Sequence, residues 1–99
     1  MDKEITVVLA FLYAKPGKEQ RVHEELKKVV TETRKEPGCL KFEAHQSRDN
    51  PTEFVVYENW RERTDVDKHI ALPHVQHFLG LANEIFAKPV AVTFWKKME

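Results

Sequence analysis

The segment HIALPHVQHF (69–78) carries three histidines, His69, His74 and His77, within nine positions. An imidazole titrates at about pH 6.5, so such a cluster can hold a metal ion, move a proton, or form the polar edge of a helix. A zinc site takes three or four converging ligands, with cysteine pairs or an HExxH helix as its usual sequence marks. Here Ile70 follows His69, and Cys39 is the only cysteine. Nothing in the spacing is specific for a metal, and the expectation is that none is bound. His74 and His77 are three apart and can share a helix face, while Pro73 separates His69 from both. Helix-end imidazoles above a sheet suit acid–base work on a small molecule, provided they face a pocket.

A carboxylate can complete such a pair. In the run EFVVYENW (53–60), Phe54, Val56, Glu58 and Trp60 share one parity, so Glu58 lies among bulky apolar side chains. If that face looks toward the helices, burial disfavours the carboxylate and raises its pKa. The competing reading is a strand-end glutamate reaching solvent or pairing with Arg61 or Arg63. Residue type alone leaves the two open.

Other chemistries are excluded by what is missing. Glycine occurs only at 17, 38 and 80, so neither a GxGxxG loop nor a P-loop can be built. No nucleophile elbow is present. Cys39, at a strand start, reads as a small core thiol, and a lone cysteine cannot form an internal disulfide. Sixteen basic residues balance sixteen acidic ones, which gives no reason to expect a nucleic-acid partner. The longest apolar run, VVLAFLYA (7–14), is too short to span a bilayer, and MDKEI lacks the plan of a signal peptide. A cytoplasmic protein without membrane contact is the expectation.

The elements that must position these residues follow from periodicity. EITVVLAFLYA (4–14) is a β-branched, aromatic strand apolar at both parities, and KPG (15–17) ends it. Val22, Leu26, Val29, Val30 and Thr33 mark one face of a helix over 18–36, stopped by Pro37-Gly38. CLKFEAHQS (39–47), with Leu40, Phe42 and Ala44 on its drier side, pairs through RDNPT with 53–60 as a hairpin. Thr64-Asp65-Val66-Asp67 resembles a capping box opening a short helix. Pro73 begins another, whose apolar face runs Val75, Phe78, Leu79, Ala82, Ile85, Phe86. VAVTFWKK (90–97) is the last strand. The order β-α-β-β-α-β, over a single domain of residues 1–99, is that of a ferredoxin-like α+β sandwich. Its helices cover one sheet face only. The apolar second parity of the first strand, with Val55, Tyr57 and Trp95, predicts a homodimer joined through the sheets.

The segments AKPGKEQ (14–20), EPGCLKFEAHQSRDNPTEFVVYENW (36–60) and HIALPHVQHF (69–78) together resemble the antibiotic biosynthesis monooxygenase family, in its small quinol-monooxygenase-like bacterial branch. The resemblance runs over nearly the whole chain and rests on the combination of EPGC, YExW and HxxxxH. It implies a dimeric α/β barrel with a pocket between helices and sheet, and oxygenation of a small aromatic quinol or polyphenol by dioxygen without metal, haem or flavin. On that reading His69 or His74 is the base and Glu58 orients it. Trp60 is a stacking wall, and Phe42, Val56, Phe78 and Phe86 complete the substrate pocket. Haem-degrading relatives of the fold use an asparagine in the first strand where this chain has Ala10, which argues against that activity. Two alternatives remain: an isomerase of a phosphorylated ketone, which needs a basic anchor such as Arg48, Arg61 or Arg63, and a non-catalytic dimeric binding module.

Overall fold

The computed structural model describes residues 4–99. Its elements are β1 (Thr6–Tyr13), α1 (Glu19–Thr33), β2 (Cys39–Gln46), β3 (Glu53–Trp60), α2 (Arg63–Ala71), α3 (Pro73–Gly80), the single turn α4 (Ala82–Ile85) and β4 (Ala91–Lys96). The strands form one antiparallel sheet in the order β2-β3-β1-β4, so β1 and β3 are central and β2 and β4 are edges. This is the expected ferredoxin-like arrangement.

Strand register sorts the side chains into two faces. Val8, Ala10 and Leu12 of β1, with Phe54, Val56, Glu58 and Trp60 of β3, turn toward the helices and are buried. Val22, Leu26 and Val29 of α1 close over them, each contributing about 1.5–3 kcal/mol by leaving water. The opposite face carries Val7, Leu9, Phe11, Val55 and Tyr57, all half-buried, with Trp95 at 54% exposure beside them. Asn59 lies in that outer row, and its buried Oδ1 has no hydrogen-bond partner among the described residues.

Four expectations shift in detail. The first helix stops at Thr33, and residues 34–36 form a turn in which the Glu36 N–H donates to the Thr33 carbonyl at 3.0 Å. Of the drier side expected in β2, only Phe42 is buried. A register shift between Cys39 and Lys41 displaces Leu40, and Ala44 sits exposed on the edge strand. The second helix begins two residues earlier than Thr64-Asp65 suggested: Glu62 is the N-cap, and the Asp65 carboxylate accepts its backbone N–H at 3.2 Å. The last helix breaks after Gly80, and Phe86 leaves it for an extended conformation bridged to Ala14. The N–H groups of Lys15 and Ala87 donate to Ile85 and Tyr13, at 2.8 and 2.7 Å. Pairing with the end of β1 thus replaces a further helical turn, and glycine at 80 makes the break cheap.

Two contacts fix the region around the EPG turn. Arg34 clamps the end of α1 to β2 by donating to the Phe42 carbonyl from Nε and Nη2, at 3.1 and 2.9 Å. Gly38 packs so tightly under α2 that a β-carbon there would collide with the Asp65 carboxyl. Only glycine lets the turn approach that closely, and the approach carries Glu36 beneath the far end of α2.

Candidate functional site

A cavity of about 110 Å³ lies between the helices and the inner face of the sheet. Val8, Phe42, Val56, Glu58, His69 and Phe78 are among its buried lining residues. It opens past Ile70, Leu79 and Val92. Glu58 and His69 are the only ionisable side chains among the lining residues.

His69 sits in the last turn of α2 and is 6% exposed. Its ring is wedged between aromatics, 4.7 Å from the Trp60 ring and 5.6 Å from the Phe42 ring by centroid. Nδ1 is 2.8 Å from Glu36 Oε2. A carboxylate only accepts, so Nδ1 carries the proton and Nε2 keeps its lone pair. Burial pushes the His69 pKa down from its ordinary value, and the hydrogen bond and charge of Glu36 oppose that shift. The neutral imidazole is therefore the resting form at neutral pH, with a carboxylate placed to stabilise its protonated form.

Glu58 is 5% exposed, and burial pushes its pKa up to about 7, with the nearby charge of Glu36 adding to the rise. Trp60, two residues along the same strand face, reaches back to donate from Nε1 to Glu58 Oε1 at 2.8 Å, which favours the ionised form. A carboxyl poised between its two protonation states at neutral pH can give or take a proton.

The expected residues separate into two groups. Glu58, His69, Phe42, Val56 and Phe78 meet on the cavity wall. Trp60 is wholly buried and stands behind His69 and Glu58 rather than on the wall. Phe86 packs edge-on against Phe78, with 5.5 Å between ring centroids, also off the wall. His74 begins α3 outside the cavity, its Nε2 3.1 Å from the Thr33 hydroxyl and 3.5 Å from Glu36 Oε2. His77 is largely exposed, with Nε2 3.9 Å from Glu25. The partner that sequence reading missed is Glu36. Beside Pro37-Gly38 it reads as an ordinary helix-end charge, and only the close approach of Gly38 to α2 brings it to His69. Cys39 is half-buried, and burial raises its thiol pKa, as fits a structural rather than a nucleophilic role.

Glu36, His69 and His74 present ligand atoms that all lie within 4.8 Å of one another. Two imidazoles and a carboxylate could hold a divalent ion. Among the three, His69 is hydrogen-bonded to Glu36, while His74 Nε2 approaches Glu36 Oε2 to 3.5 Å and is itself hydrogen-bonded to the Thr33 hydroxyl.

The profile of the antibiotic biosynthesis monooxygenase family matches residues 5–80. The chain is 30% identical over 93 residues to a Mycobacterium tuberculosis protein named "Putative monooxygenase Rv0793", covering 94% of this chain and 90% of that one. The solved structure of that protein superposes with a TM-score of 0.88 at 28% identity, over 96% of each chain. The crystal structure of PA3566 from Pseudomonas aeruginosa shares the fold, with a TM-score of 0.94 over 100% of this chain and 99% of that one at 23% identity. The chain belongs to the antibiotic biosynthesis monooxygenase family.

Proposed function

We propose that the protein is a monooxygenase that oxidises a small aromatic quinol or polyphenol with dioxygen, using protein side chains and no resident cofactor. The observation that carries this reading is the buried His69–Glu36 pair on the wall of an apolar cavity whose other ionisable group is Glu58. His69 Nε2 takes the hydroxyl proton, and Glu36 stabilises the imidazolium that results. The phenolate gives two electrons to dioxygen and forms a ring-carbon hydroperoxide. Loss of the proton on that carbon then sends the C–H electron pair into the O–O bond and breaks it. One oxygen thus stays as a ring carbonyl (a hydroxyquinone overall), and the other leaves as water with two of the substrate's hydrogens. Glu58, poised near neutrality, relays the second proton. The apolar wall excludes water and sets the ring against the base. In this reading the carboxylate that orients His69 is Glu36, while Glu58 faces the substrate. His74 steadies Glu36 from outside, and Trp60 and Phe86 hold His69 and Phe78 from behind.

The isomerase alternative needs a cation for a phosphate, and neither lysine nor arginine lines the cavity. Arg61 is engaged with Asp65 at 3.0 Å, and Arg63 lies over the Phe94 ring. A non-catalytic binding module accounts for the cavity but gives no part to a buried imidazole–carboxylate pair. The reading also places the protein in the cytoplasm as a homodimer. The half-buried outer face of β1 and β3, exposed Trp95 and the unpartnered Asn59 Oδ1 support assembly through the sheet.

Oxygen uptake by metal-stripped protein over a panel of hydroquinones tests the activity. Uptake above the autoxidation rate for at least one member is the expected result. Background rates throughout, with the folded protein in hand, overturn it.

A further inference from the structure

The residues lining the cavity divide by exposure. The two ionisable groups, His69 and Glu58, with Phe42 and Val56, are buried, none more than 6% exposed. Ile70, Leu79 and Val92 line the same space while 38%, 36% and 44% exposed. Ile70 and Leu79 come from α2 and α3, and Val92 from the edge strand β4, so the mouth lies between the helical layer and the sheet edge. Large apolar side chains in water at the lip of an apolar cavity mark a surface that a ligand covers.

Volume decides what can sit inside. A cavity of roughly 150 Å³ is enough for benzene. The whole cavity, at about 110 Å³, is smaller than that, so a single ring already fills it to the mouth and anything more must pass out. That exit runs over hydrocarbon side chains with no charged group among them. A polar or phosphorylated substituent would lose its hydration there without gaining a partner. A fused second ring would have to fit where the walls are still buried.

We propose that the ligand is a single hydroxylated aromatic ring bearing a hydrocarbon chain, the ring held at His69 and Glu58 and the chain lying across Ile70, Leu79 and Val92. This rests on the functional reading above only in placing the hydroxyl at His69.

The test is anaerobic calorimetric titration with hydroquinones carrying no side chain or n-alkyl chains of one to seven carbons, and with dihydroxynaphthalene. Without oxygen, binding is read apart from turnover. Affinity is expected to rise about fourfold per methylene over the first few carbons and then level off. Leu79→Glu and Val92→Lys should flatten that dependence. Both positions are exposed enough to accept polar residues, and Leu79→Gln serves if the charged form does not fold. An affinity independent of chain length, a slope unchanged in the folded variants, or tighter binding of dihydroxynaphthalene than of any alkyl member overturns the proposal. Chain-dependent binding without oxygen uptake would sink the oxygenase reading and leave the ligand class standing. Uptake with unsubstituted hydroquinone but no chain dependence would do the reverse.

Discussion

His69 Nδ1 stands 2.8 Å from Glu36 Oε2, although 33 residues separate them, because the Pro37-Gly38 turn tucks under the start of α2. Burial alone would leave His69 a poor proton acceptor; the carboxylate restores part of its basicity and fixes its tautomer. Glu36→Gln keeps the volume and removes the charge. The His69 pKa should fall further, and kcat/KM should drop on the order of 10²-fold. Histidine titration by NMR alongside steady-state rates checks both; an unmoved pKa would mean that the pair does not tune the base.

Glu58 makes stability depend on pH in a definite direction. Its folded pKa is about 7 against 4.5 for the free side chain, so the folded state holds a proton that the unfolded chain gives up. Stability is therefore lost as pH rises between those values, by about 3 kcal/mol in full. His69, lowered by burial, acts oppositely and costs stability below its ordinary pKa. Comparing wild type with Glu58→Gln isolates the carboxyl. The variant should be the more stable protein at pH 8, and the difference should shrink toward pH 5 in urea titrations. A gap that does not change with pH would show that Glu58 stays ionised in the fold.

Filling the cavity should separate binding from folding. Ala10 lines it from the centre of β1. Ala10→Leu extends into space already empty, so stability should change by less than about 1.5 kcal/mol. Ligand affinity should fall at least tenfold, as read by titration. Unimpaired binding would place the ligand elsewhere.

The outer sheet face offers a simple assay of assembly. Leu9 lies at its middle, flanked across the sheet by Tyr57 and Thr93. Leu9→Glu should convert a dimer to a monomer by light scattering, since a buried unpaired charge costs several kcal/mol at an interface. A wild-type monomer at micromolar concentration would contradict the dimer.

Much of this architecture was legible in the sequence because its signals are local. Alternation in 53–60 put Glu58 on one parity with Val56 without deciding whether that face was dry, and helical spacing in 18–36 identified the stripe of Val22, Leu26 and Val29 that covers it. The break at Pro73 placed His69 at a helix end but left its direction unfixed, and it did not separate His69, on the cavity wall, from His74, off it. Glu36 was not legible, since its role depends on how closely a glycine approaches a residue 27 positions away. The placement of Phe86 was missed for a related reason: helical periodicity continues through it, but backbone pairing with the end of β1 takes precedence. Trp60 has the parity of the cavity residues yet lies one step beyond its end, where the indole serves Glu58 and His69 instead of a ligand. Spacing assigns a side chain to a face; depth along that face is set by the packing of other elements.

In the proposed reaction His69 is the base for oxygenation. The most direct test of that role is oxygen uptake by His69→Ala with a substrate that the wild type turns over, with and without added imidazole. Uptake should fall to the autoxidation rate and recover in part as imidazole fills the vacated space. Uptake that survives the substitution would contradict the account and shift the proton-accepting role to Glu58.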